Sequence, residues 1–110
     1  MASRLDLHKQ LCDILGSSNV YFQPPSSVKM KYPCIVYQRS TGDTQYADNY
    51  PYHVVYRYTI TYISKDPDDP MVEKLAKAFQ SMRMDRHFTA DNLNHDTFEL
   101  YYHTHEEETL

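Results

Sequence analysis

Tyr50 to Ile63, YPYHVVYRYTITYI, is the stretch on which the fold turns. Tyr52, Val54, Tyr56, Tyr58, Ile60 and Tyr62 recur at period two, and His53, Arg57, Thr59 and Thr61 take most of the alternate positions. This is the pattern of a strand whose two faces meet different surroundings. So long a strand in a chain of 110 residues is the spine of a sheet. Tyrosine brings apolar area together with a hydroxyl. The pattern therefore predicts hydroxyls left over for partners, and a protein that acts by surface contact rather than by bond chemistry.

Toward the C-terminus the spine ends at Asp66-Pro67-Asp68-Asp69-Pro70, where Asp69 caps a helix and Pro70 fills its first position. Val72, Leu75, Ala76, Phe79 and Met82 form a helical stripe suited to packing on a sheet. Met84 to Ala90 then reads as a strand anchored by Phe88, Asp91 to His95 as a turn, and Phe98, Leu100 and Tyr102 as a final alternating strand.

Toward the N-terminus, Thr41 to Tyr50 contains Gly42-Asp43 and Asp48-Asn49, which favour turns, and supplies nothing to a core. It is expected to be a loop longer than a tight hairpin, either a mobile arm or a binding element. Cys34 to Arg39 is a strand, Ser26 to Lys31 a loop, and Val20 to Phe22 a short strand ended by Pro24-Pro25. Ser3 caps a first helix with Leu5, Leu11, Cys12 and Leu15 on its apolar face, and Gly16 stops it. The expected class is α+β: an antiparallel sheet of four or five strands, two helices on one face, in the order α-β-β-β-α-β-β. One domain spans 1–102, and 103–110 is an acidic, flexible tail. The face without helices is expected to carry tyrosines and polar residues, a patch that oligomerisation would cover.

The net charge of −4, from 15 acidic and 11 basic residues with no basic block, argues against a nucleic-acid partner held through phosphates. Tyr56-Arg57-Tyr58 could stack single-stranded bases, but the element order is not that of an RNA-recognition fold and no Gly-aromatic basic signature is present. A mean hydropathy of −0.70 beside 14% aromatic residues separates the chain from disordered sequences, which are poor in aromatics. Cys12 and Cys34 share no metal or redox spacing and are expected to stay reduced. The charged, amphipathic start is not a signal peptide and no window suits a membrane span, so synthesis in the cytoplasm without membrane contact is expected.

His95, Asp96, His103, His105 and Glu106 to Glu108 include metal-ligand types, yet no recognised spacing places a third ligand. A solvated tail is the expectation, with no metal and no cofactor. No serine lies in a nucleophile elbow, and the isolated Gly16 and Gly42 build no phosphate loop. No catalytic role is expected.

Four segments taken in order carry a resemblance: Val20 to Pro25, Met30 to Tyr37, Tyr46 to Asn49 leading to Arg57 to Thr61, and Asp91 to Asp96 before Phe98. Together they resemble phage tail terminator or tail completion proteins, often labelled minor capsid or head-tail joining proteins, of long-tailed phages of Gram-positive bacteria. The resemblance implies a small α/β sandwich that forms a ring, usually a hexamer, on the head-proximal end of the tail tube. Such a ring stops tube polymerisation and presents a docking surface to the head-tail connector, while DNA passes through without specific binding. On that reading the partners are further copies of the chain, the major tail tube protein and the connector, in the host cytoplasm during assembly and then in the virion. Tyr46, Tyr50, Tyr52, Tyr56 and Arg57 are the candidate interface residues, and Asp43 and Asp48 the candidate channel-facing carboxylates. A head-side adaptor is the neighbouring alternative, and a small regulatory or nucleic-acid-binding module the more distant one.

Overall fold

The computed structural model describes residues 4–47 and 50–103. Its elements are α1 (Arg4–Leu15), β1 (Val20–Phe22), β2 (Cys34–Ala47), β3 (Tyr50–Ser64), α2 (Pro70–Ala76), β4 (Met82–Ala90) and β5 (Leu93–His103). The class is α+β and the element order matches the sequence expectation. The five strands form one sheet in the order β1-β2-β3-β5-β4. β1 lies parallel to β2, whereas the other three pairings are antiparallel, so the sheet is mixed. The parallel pair arises because the 26–33 segment carries the chain back along the sheet before β2 begins; Ile35 N donates to Asn19 O at 2.9 Å and Gln23 N to Tyr37 O at 2.9 Å.

Both helices cover one face. Leu7 and Leu11 of α1 and Leu75 of α2 are fully buried against Ile35, Tyr37, Tyr58, Ile60, Phe98 and Leu100. Leu7 and Leu11, spaced i, i+4, set the buried side of α1. Leu5 stands about 200° around the helix from Leu7 and is 67% exposed, so it does not belong to the apolar face expected of it. The cap expected from Ser3 lies outside the described residues. Gly16 ends the helix with φ +80 and its N–H on Cys12 O at 2.8 Å, a left-handed position that glycine fills without steric cost.

Asp69 caps α2 by accepting from Met71 N at 2.9 Å, with Pro70 at the first helical position. The helix stops at Ala76, so the stripe expected to run through Phe79 and Met82 is only partly helical. Phe79 packs on the core from the following turn, and Met82 opens β4 opposite Leu100. Pairing with β5 outweighs helical spacing there. Asp91 and Asn92 have φ of 54 and 62 and close a two-residue hairpin, the left-handed pair that favours Asp and Asn. β5 therefore starts at Leu93, inside the expected turn, and runs on to His103, the first residue assigned to the tail; the rest of the tail, 104–110, lies outside the described residues.

The largest departure is at 41–50. Instead of a loop, Thr41–Ala47 continues β2 and pairs with β3, Thr41 opposite Arg57, Thr44 opposite Val54 and Ala47 opposite Tyr50. A bulge at Ser40 admits the extra residue, its Oγ donating to Arg57 O at 3.0 Å. The paired β3 backbone decides a conformation that Gly42 and Asp43 would not choose locally.

Candidate assembly surfaces

The long hairpin outruns its sheet. β5 leaves β3 at the Val55–His103 pair, and among the described residues 50–54 pair with β2 alone. β1 covers β2 only at Ile35–Tyr37. Beyond these points β2 and β3 form a two-stranded arm of roughly 20 Å at ~3.4 Å per residue. The molecule measures 51 × 24 × 23 Å with a radius of gyration of 15.2 Å, against about 13 Å for a compact chain of this length. Register fixes the edge chemistry. Because Ile35 and Tyr37 bond toward β1, Val36 and Gln38 bond toward β3. The bulge shifts the alternation, which leaves the backbone groups of Gly42 and Thr44 pointing away from β3.

The helix-covered face takes up Tyr58 and Tyr62 of the strand whose hydroxyls the sequence reading assigned to partners, together with Tyr37 and Tyr102. Tyr37, Tyr58, Tyr62 and Tyr102 are at most 8% exposed. Tyr37 Oη accepts from Arg4 Nη1 at 3.1 Å and lies 2.8 Å from His8 Nδ1, while Tyr102 Oη accepts from Gln10 Nε2 at 3.2 Å. Tyr62 donates to Asp69 Oδ2 at 2.6 Å and so reaches the cap of α2. The hydroxyls of Tyr37, Tyr62 and Tyr102 each fasten a helix to the sheet, as buried phenols require a partner. Burial holds all four phenols above their ordinary pKa, and for Tyr62 the bond to Asp69 adds to it. Burial, then the Arg4 charge, lowers His8. Of the spine's tyrosines, Tyr56, Tyr58 and Tyr62 turn toward the helices, so they do not contribute rings to the open face.

The open face is polar. Arg57 Nε lies 3.8 Å from Glu99 Oε1, and Arg57 Nη1 donates to Tyr101 Oη at 3.4 Å. Arg83 Nη2 reaches Glu99 Oε2 at 3.2 Å. Such half-exposed pairs contribute roughly 0–1 kcal/mol each and act on specificity more than on stability. Cys34 lies on this side, fully buried, its thiol pushed up to about 11 by burial. Cys12 packs under α1 on the other side, and both cysteines are free.

The expected interface residues do not form one surface. Tyr46, Tyr50 and Tyr52 belong to the arm by backbone position. Tyr56 turns toward the helix face with Arg39 4.8 Å above its ring, and Arg57 turns to the open face. Adjacent strand residues point to opposite sides, so these last two face opposite sides of the sheet. Asp43 sits opposite Val55 in the paired strands rather than in a loop, and Asp48 lies outside the described residues. The C-terminal cluster is also divided. Asp96 accepts the His87 contact at 2.7 Å on the helix side, while His95 stacks on Phe88 at 4.7 Å on the other. Among the described residues no group of three His, Cys, Asp or Glu side chains is placed to hold a metal, and no helix is long and apolar enough to cross a membrane.

Sequence reasoning missed Glu99, Arg83 and Tyr101. Their juxtaposition depends on the β3-β5-β4 order, which alternation within single strands does not reveal. No protein-family model matches the chain, and a search of curated proteins finds no match.

Proposed function

We propose that this chain is a structural virion-assembly protein, a tail terminator that forms a ring on the head-proximal end of a phage tail tube. The ring would block further addition of the major tube protein and offer the head connector its docking face, with DNA passing through. The observation that carries the assembly role is the arm of 41–47 with 50–54. A bare two-stranded ribbon is marginal in water by itself, and its outer edge, which pairs with no other strand among the described residues, offers backbone groups to another chain. A neighbouring copy or the tube is the surface such an arm needs. The terminator assignment itself rests on the four-segment resemblance.

Of the Tyr56-Arg57-Tyr58 run on which a nucleic-acid role relied, Tyr58 lies beneath the helices, which counts against base stacking on that run. The test is molar mass by light scattering across concentration, alone and with purified tail tubes. A closed ring of several copies, or one formed only on tubes, supports the terminator. A chain that ignores tubes but binds purified heads would transfer the reading to a head-side adaptor, and a monomer that binds neither would overturn it.

A further inference from the structure

Two polar ties hold α1 to the sheet, and they differ in kind. On one side Gln10 Nε2 donates to Tyr102 Oη at 3.2 Å, a bond between groups that keep their protons through mild acid. On the other, Arg4 Nη1 donates to Tyr37 Oη at 3.1 Å, and His8 Nδ1 lies 2.8 Å from the same oxygen. The Arg4 guanidinium also stands 4.4 Å above the Phe22 ring, and the His8 and Tyr37 ring centroids are 5.6 Å apart. Leu7 and Leu11 are fully buried beneath the same helix.

The hydrogens at Tyr37 can be counted. A guanidinium only donates, so the phenol oxygen accepts from Arg4 and keeps its own proton for His8. His8 then accepts through Nδ1 and carries its proton on Nε2, the tautomer set by the bond that its other nitrogen makes. We infer that Arg4, Tyr37 and His8 form a proton-sensitive latch: neutral His8 holds the first turns of α1 on the sheet, and protonation at Nδ1 releases them while the strands stay paired. A proton added at Nδ1 sets two hydrogens against each other across the 2.8 Å contact and places an imidazolium beside a guanidinium. The titratable and charged groups around the pair are Arg4 and Cys12 on α1, Tyr37 and Arg39 on β2 and Tyr58 on β3, while β1 brings the uncharged Phe22. No carboxylate acts on His8 to offset burial and the Arg4 charge, both of which oppose its protonation. The latch is therefore closed above about pH 6.5 and opens as pH falls through the lowered value. It stands independently of the ring reading.

The test is hydrogen exchange of the α1 amides in the full chain, expressed as protection factors at about pH 7 and about pH 5, with nitrogen NMR of the His8 ring. Protection of Lys9 to Cys12 is expected to fall roughly threefold or more at the lower pH relative to Ile60 and Phe98 in the core. At the higher pH, Nδ1 should show the shift of an unprotonated acceptor. His8→Gln offers an acceptor that does not titrate and should abolish the pH dependence. Gln10→Ala, which cuts the other tie, should lower protection of α1 equally at both pH values. Amides of α1 that follow the core at both values, a pH dependence that survives His8→Gln, or a proton on Nδ1 at about pH 7 would each overturn the latch.

Discussion

β3 is one strand with two environments. From Tyr56 to Ser64 it has β2 on one side, β5 on the other and both helices above, and Tyr58, Ile60 and Tyr62 are buried. From Tyr50 to Val54 the alternation continues, Tyr52 and Val54 in step with Tyr56, yet β2 is the only described neighbour. The same pattern thus builds a core in one half and an arm in the other. Periodicity states that a strand has two faces; whether either is covered is decided by the chain that returns to it. If the chain is the assembly protein proposed above, the half that pairs with β2 alone among the described residues is the half to examine for contacts between copies.

This contrast can be broken most severely in the covered half. Phe98 is fully buried opposite Ile60, and Phe98→Ala should cost about 3–5 kcal/mol, enough to unfold a marginal domain, as chemical denaturation would measure. Tyr62→Phe comes next. It removes the 2.6 Å bond to Asp69 and leaves the α2 cap short of a donor, a loss of about 1.5–3 kcal/mol for a bond to a charged group. Near-full stability in that variant would mean that the hydroxyl does not fasten the helix.

A milder effect depends on pH. His8 lies 2.8 Å from the Tyr37 hydroxyl, which already receives Arg4, and its pKa is lowered from 6.5. The folded chain thus takes up the His8 proton less readily than the unfolded chain. The stability this group contributes is present above about pH 6.5 and lost as pH falls through the lowered value. Melting temperatures below that pH should fall less steeply in His8→Gln than in the natural chain. An unchanged slope would remove His8 from the account.

The smallest effect on stability is expected in the arm. Replacing 42–55 with a two-residue turn should change unfolding free energy by about 1 kcal/mol or less, since among the described residues 50–54 pair with β2 alone, while the proposed ring would be lost. Loss of folding would show that the arm belongs to the domain.

What the sequence disclosed follows the same division. Asp69-Pro70 and Gly16 mark helix ends through local backbone chemistry, so α1 and α2 were legible, as was the strand alternation of β3. The extension of β2 through Ser40–Ala47 was not, because its serine, glycine and aspartate favour turns until β3 is there to pair with them. Nor could alternation tell which side of the sheet the helices would cover, and so the strand's tyrosines were assigned to partners, whereas Tyr58 and Tyr62 lie under the helices and Tyr62 ties its hydroxyl to the cap of α2. For the candidate surface, Tyr46, Tyr50 and Tyr52 fall on the paired β2 and β3 segments of the arm by backbone position. Tyr56 and Arg57 were separated by the pleat, and the Arg57-Glu99-Arg83 group needed three strands in a known order.

The most direct measurement is hydrogen exchange across β3, in the isolated subunit and in the assembled ring on tail tubes. The amides of Tyr50 and of Tyr52 to Val54 should exchange rapidly in the free subunit while those of Tyr58 to Ile63 stay protected, and the arm should gain protection on assembly. An arm as protected as the core in the free subunit, or one still unprotected in the ring, would contradict the claim that neighbouring molecules complete it.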